Sequence, residues 1–423
     1  MVDRPLDPEA RREEALKAAG GSIRASRGLL LLGAVLLGAI AFVVTLERSP
    51  QRAWANVWYN FLFWTALAQA GVIFGAILQA AKGHWGKDYR RIAEGAGMFL
   101  PISLAVFVAL YFGAEHIFPW IHPVEAHVNL EWLTVEGVFL RNGVLLALMV
   151  VASGFFLWTS LRPDASFLKG RHTGWRAALV GRLGRNWRGD EEEAARSRST
   201  LSWLSPLLIL MWVTAFTLLA VDMAMSLVPG FLSVIWGPYY FIGGWLTLLA
   251  FVTVVAGWHA GVRKRQLWTR WQFHDLGKLF FAFTIFWTYL WFSQFIVVWY
   301  GNIPRETLWF VQRTSQGFSP LLTLQMVLIF AIPFVLLLGR TPKMKPRFLA
   351  AVGIVSLAGF WIERYNLVFP SIWAGSPPLG LVEVAIFVGF LGLFGLAYSL
   401  YATTFPLLPL RESLIEGEPG RGP

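Results

Sequence analysis

Ten apolar stretches govern what this chain can fold into. They lie at 28–46, 54–81, 96–113, 138–160, 203–227, 239–261, 276–300, 320–338, 347–367 and 381–400. A helical bilayer crossing takes about 20 apolar residues. Inside lipid every backbone N–H and C=O must find its partner within the protein, so segments of this length cross as helices. The expectation is an all-α integral membrane protein with about ten transmembrane helices. The spacing suggests two four-helix bundles, spans 2–5 and spans 6–9. The chain then divides into a tail at 1–27, spans 1–4 at 28–160, a charged connection at 161–202, spans 5–10 at 203–400 and a tail at 401–423.

Composition agrees. Of 423 residues 56% are hydrophobic and 14% are charged, whereas a soluble domain carries about 25% charged residues. A soluble enzyme, a disordered chain and a secreted disulfide scaffold are excluded. Cysteine is absent, so this chain supplies no disulfide, thiolate metal site, covalent haem link or cysteine-held iron–sulfur cluster. The first 27 residues carry both signs of charge and do not read as a signal peptide.

The formal charge of +11 sits mostly in connections. Lysines and arginines of the two tails and of the connections after spans 2, 4, 6 and 8 number 29, against four (Arg48, Arg52, Arg305 and Arg313) on the opposite side. Such alternation is the topology signal of a multi-pass membrane protein, and it places both termini in the cytoplasm. It also explains the basic balance without nucleic acid. The 161–202 connection reads as a cytoplasmic hairpin or flexible linker, with Asp190 to Glu193 forming an acidic run.

Ionisable groups within spans are costly and are functional candidates by default. Asp222, near the outer end of span 5, is either a proton acceptor on an exit path or the buried partner of an arginine. Glu136 and Arg141 flank the outer start of span 4 and can pair with each other or with Asp222. Glu363 and Arg364 close span 9, and Glu383 opens span 10 on the same side. Neighbours on a helix point about 100° apart, so Glu363 and Arg364 are not expected to face one groove together. At the inner ends of spans 6 and 7, His259, His274, Asp275 and Lys278 can load protons, or Asp275 can simply cap its helix. Between the two sides Gln69, Thr284, Thr288, Tyr289, Ser293 and Gln294 offer a water chain, although hydroxyls commonly bond their own helix. Lys278 to Tyr300 covers about 33 Å at 1.5 Å per residue, so such a chain would have to be long.

The seven histidines avoid span centres, which argues against an intramembrane bis-histidine haem. His116, His122 and His127 share an outer loop with Glu115 and Glu125, but their spacing fits no metal motif, and a docking loop for an outer partner is the better expectation.

One segment carries a resemblance. Residues 273–307 read FHDLGKLFFAFTIFWTYLWFSQFIVVWYGNIPRET. The FHDLGKL start, the FAFT-x-FW-x-Y middle and the FSQF…WYGNIP end resemble the ActF family, membrane subunits of alternative complex III, a bacterial quinol:cytochrome c or quinol:acceptor oxidoreductase. That family is similar to the wider NrfD/PsrC group of quinol-interacting membrane subunits, and WIERYN at 361–366 fits it too. The resemblance implies the two bundles, with spans 1 and 10 outside them. It implies a multi-haem cytochrome c subunit, an iron–sulfur subunit, a second NrfD-like (ActC-type) subunit and small membrane anchors as partners, which hold the haem c and iron–sulfur clusters, and menaquinone or another quinone as ligand. It carries over His274, Asp275 and Lys278. The expected function is a membrane subunit of a quinol-oxidising complex that contributes quinone contact, a proton path, or both. The alternatives are a purely anchoring subunit and a stand-alone transporter, against which the apolar midplane speaks.

Overall fold

A computed structural model describes residues 7–19, 24–121, 131–315 and 317–411. His122, Glu125 and His127 therefore lie outside the described residues, as does most of the C-terminal tail. Among the described residues ten helices are long and apolar enough to cross a membrane: Ala25–Arg48, Pro50–Ala80, His84–Ile117, Val135–Leu168, Asp190–Leu227, Trp236–Val262, Arg270–Gly301, Ser319–Leu337, Pro346–Ile372 and Leu381–Thr404. No strand occurs among the described residues. The protein is an all-α, multi-pass membrane protein. The start of span 1 and the end of span 10 lie on one side of the bundle, called here the terminal face; the other is the far face.

The packing is that of two four-helix rings. Spans 2, 3, 4 and 5 touch in sequence and close on span 2; spans 6, 7, 8 and 9 do the same and close on span 6. Spans 2 and 5 of the first ring meet spans 6 and 9 of the second. Span 2 is the axis of the molecule, buried along nearly its whole length and carrying Asn56, Asn60, Thr65 and Gln69 into the core. Water-driven burial does not bring helices together in lipid, so close van der Waals packing must do so, and small residues permit it. At Gly71 a Cβ would come within 2.3 Å of the Ala93 carbonyl, so spans 2 and 3 need glycine there.

Spans 1 and 10 pair outside the rings. A Cβ on Gly38 would meet the Gly389 Cα at 2.5 Å, so the two backbones touch at these glycines. The rest of span 1 presents Leu29, Leu30 and Ile40 outward.

Three elements differ from the sequence expectation. Span 3 is broken: 3-10 turns at Gly97–Phe99 and Tyr111–Gly113 interrupt it, which explains its short hydropathy peak. The helix of span 5 starts at Asp190, well before residue 203. The acidic run Asp190 to Glu193 occupies its first turn, where carboxylates complement the helix dipole, so much of the supposed linker is helix. Outside the spans, the helix Pro8–Ala19 docks on the terminal face through Arg11, which donates to the Leu267 carbonyl and pairs with Asp88.

Candidate functional site

The far face carries three buried carboxylates. Asp222 has no exposed surface. Arg141 grips it with both arms, Nε to Oδ2 at 2.6 Å and Nη2 to Oδ1 at 2.8 Å; the Asn142 amide donates to Oδ2 at 2.6 Å and the Trp132 indole to Oδ1 at 3.2 Å. This is the arginine-paired alternative for Asp222, and the bond ties span 4 to span 5. Glu136 is exposed in the first turn of its helix and makes no ion pair among the described residues.

Glu383 is gripped in the same way. Arg52 reaches it twice at 2.8 Å, the Asn56 amide at 3.1 Å and the Gly380 N–H at 2.8 Å. The carboxylate thus caps the start of span 10 while holding it to span 2.

Glu363 and Arg364 are different. Both are buried, and they meet each other, Arg364 Nη1 to Glu363 Oε2 at 2.8 Å. The expectation that they face apart fails because the arginine side chain is long enough to swing back along the helix. The Tyr239 hydroxyl donates to Glu363 Oε1 at 2.6 Å. Arg364 lies 4.3 Å over the Tyr240 ring, and the Tyr240 hydroxyl reaches the Leu62 carbonyl of span 2 at 2.9 Å. Despite its nearness to Arg364, Glu363 Oε2 takes no well-aligned hydrogen bond, and the indole N–H of Trp287 finds no acceptor. A Cβ on Gly243 would stand 3.0 Å from Arg364 Nη2 and 3.2 Å from Trp287 Nε1. The glycine therefore lets Arg364 and Trp287 close in on span 6, filling the space a side chain would take, beside the Phe360 ring; Arg364 Nη2 also donates to the Tyr240 carbonyl at 3.3 Å.

Arg313 stands behind this cluster, in the helix Pro304–Thr314. It is 1% exposed, donates to the carbonyls of Trp309 and Leu367 and to the Ser371 hydroxyl, and stacks 3.7 Å from the Trp309 ring. No carboxylate salt-bridges it among the described residues. Burial pushes its guanidinium well below its ordinary value, against the pull of nearby Tyr239 and Glu363. Counted from sequence as an outer-loop charge, Arg313 belongs instead to the buried site.

On the terminal face, span 7 begins at Arg270 behind a Thr269–Gln272 capping box. Thr269 is the cap, so Asp275 is not. Asp275 pairs with Lys278 at 2.8 Å, and His274 Nδ1 lies 3.9 Å from Asp275. The early start does put His274 and Lys278 on one helix face. His259 stays apart: it sits in the π-turn Trp258–Val262, and its Nδ1 has no partner.

Between the two sides, the threonine hydroxyls bond their own helix. Thr284 donates to the Phe280 carbonyl at 3.0 Å and Thr288 to Thr284 at 2.9 Å, each within its own helix. Tyr289 is 61% exposed and faces outward. Gln294 accepts from Ser233, and Gln69 donates to Ser153 at 2.9 Å.

The sequence reading missed a buried network near the terminal face. Arg90 donates to Glu94 Oε1 at 2.8 Å, and Ser160 donates to the same oxygen at 2.5 Å. Arg91 bonds Glu94 and also reaches Asp164 Oδ2 at 2.6 Å, while Asp164 Oδ1 accepts the Leu410 N–H at 3.0 Å. All four charged residues are buried. Arg90 and Arg91 were counted as loop charges because span 3 was started at residue 96. Their spacing of four and three to Glu94, one helix face, was the available signal.

Neither a protein-family model nor a curated protein matches this chain. Among the described residues no group of three His, Asp or Glu side chains is placed to hold a metal ion.

Proposed function

We propose that this chain is a membrane subunit of a bacterial quinol-oxidising electron-transfer complex, with its terminal face in the cytoplasm. The observation that carries this reading is the meeting of the buried Glu363–Arg364 pair with the unpartnered Trp287 N–H beside Gly243. A quinone headgroup presents carbonyl oxygens that need hydrogen-bond donors within the membrane. Arg364 and Trp287 are donors of that kind, and aromatic side chains flank them. The donor chemistry suits a carbonyl oxygen. Arg364 and Trp287 would hold the headgroup; a bound quinol would supply electrons and protons.

The chain's own residues then handle protons. Glu363 keeps one oxygen without an aligned bond, so it has room to accept a proton, and Tyr239 stays hydrogen-bonded to the other oxygen. On the cytoplasmic side His274, Asp275 and Lys278 form the matching entry. The resemblance over residues 273–307 supplies the partners: a multi-haem cytochrome c subunit, an iron–sulfur subunit, a second NrfD-like subunit and small anchors.

Purification through a tag on this chain, with mass spectrometry and a redox difference spectrum, tests the assignment. Co-purifying cytochrome c with haem c absorbance is expected, and a colourless single-chain particle would overturn it. Within the assembled complex, Glu363→Gln is expected to lower quinol turnover about 100-fold, the low end of what a positioned general base contributes. A second reading, a subunit that only anchors its partners, draws on the fully engaged Asp222 and Glu383. It predicts unchanged turnover in Glu363→Gln.

A further inference from the structure

The terminal face holds a recess that the quinol reading does not use. It lies between the end of span 4 and the start of span 5, has a volume of ≈ 410 Å3 and is open on one side. Sites for small ligands span about 300–1,000 Å3. Its floor is Phe155 and Trp158 of span 4, 46% and 37% exposed. On a membrane-crossing helix such side chains face acyl chains. The rim is Arg162, Arg185, Arg188 and Arg196, with Glu193 the one carboxylate in the lining.

The charges are not balanced. Glu193 is taken by Arg162, Nε to Oε2 at 2.6 Å and Nη2 to Oε1 at 3.1 Å. Arg188 meets Glu192 at 3.3 Å, but both are half exposed and such a pair holds weakly. Arg185 and Arg196 make no side-chain hydrogen bond or ion pair among the described residues. The recess is fixed in shape, because Ser197 of span 5 donates to the Thr159 carbonyl of span 4 at 2.7 Å. An apolar floor at membrane depth under a rim of arginines is the form of an amphiphile's site, apolar below and anionic above.

We propose that this recess binds an anionic phospholipid, its phosphate between Arg185 and Arg196 and an acyl chain along Phe155 and Trp158. Basic pockets between membrane helices recognise phosphate headgroups through charge-assisted hydrogen bonds, and each arginine near the surface contributes about fivefold in affinity. The site is independent of the quinol reading, since it needs only the membrane.

The full chain in phosphatidylcholine nanodiscs, with and without phosphatidylglycerol, tests it. Brominated phosphatidylglycerol quenches tryptophan, and the part of the quenching lost in Trp158→Phe reports the site. Arg185→Gln with Arg196→Gln is expected to weaken that signal about 25-fold in lipid concentration. Arg182→Gln, outside the recess, and the Arg185→Lys with Arg196→Lys pair should each keep it to within about threefold. Equal melting temperatures in pure phosphatidylcholine show that the variants fold. Wild-type quenching in the double glutamine variant, or an equal loss in Arg182→Gln, would overturn the site. Full displacement by inorganic phosphate would make it a soluble-anion site and would overturn the lipid. Loss of a partner subunit with unchanged quenching would make the surface a protein contact instead.

Discussion

Two buried ion clusters lie at opposite ends of the bundle core, and they are built on different terms. In the Arg90–Arg91–Glu94–Asp164 cluster every carboxylate oxygen accepts hydrogen bonds, from guanidinium, hydroxyl or backbone N–H. In the Tyr239–Glu363–Arg364–Arg313 cluster one carboxylate oxygen, the Arg313 Nε and the neighbouring Trp287 N–H lack aligned partners. Buried polar groups are normally satisfied, and each exception calls for a reason. Carboxylates whose oxygens are all engaged have little capacity left for a proton and serve to hold helices together. An unsaturated one can take a ligand or a proton. By that criterion Asp222 and Glu383 side with the first cluster, although they share the far face with the second.

The contrast can be broken by substitution, with the largest loss of stability expected where the bonds are complete. Arg91→Ala leaves Glu94 and Asp164 without their shared cation. Removing one partner of a buried pair costs about 3–5 kcal/mol, so this variant should accumulate poorly and melt well below wild type in detergent. Asp222→Asn keeps the shape but removes the charge that Arg141 grips. It should cost about 1.5–3 kcal/mol, the range for hydrogen bonds to charged groups, and leave quinol turnover and proton-to-electron stoichiometry unchanged. A change in stoichiometry would return Asp222 to the proton path. Glu363→Gln should shift melting least of the three, by about 1 kcal/mol, while turnover falls. If it instead melts as early as Arg91→Ala with turnover intact, the unsaturated cluster is structural too.

The smallest expected effect lies outside the spans. Burial lowers the pKa of His172, whose Nε2 lies 3.0 Å from the Thr404 carbonyl. The unfolded chain then binds the proton more readily than the folded one. The His172 contribution is complete above the ordinary value of about 6.5 and is lost as pH falls through the lower folded value. A melting-temperature scan over this window should show a shallow decline that His172→Gln removes.

Much of the architecture was legible in the sequence because hydropathy and backbone satisfaction leave a membrane chain few options. Ten spans and their two rings follow from that. Side-chain partnerships were less legible. Arg90 and Arg91 read as loop charges because a hydropathy boundary stops where charge begins, whereas the helix continues past it; Arg313 reads so because it lies on a short helix between spans that folds back against the bundle. The Thr284 and Thr288 hydroxyls turned to their own helix, since a carbonyl four residues back is always in reach. His259 missed its neighbours because a π-turn ends span 6, and periodicity does not foresee that turn. Glu363 was visible as a candidate; the approach of Arg364 and Trp287 to Gly243 was not, because these residues come from three spans far apart in sequence.

The touching glycines of spans 1 and 10 have a consequence for how the chain is made. Gly38 enters the bilayer well before its contact, Gly389, is made. At ~5–20 residues per second, span 1 waits on the order of tens of seconds with no permanent neighbour along that face. Until span 10 arrives, that glycine seam is lined by lipid alone, so the two helices must find each other late, after the rings between them are made.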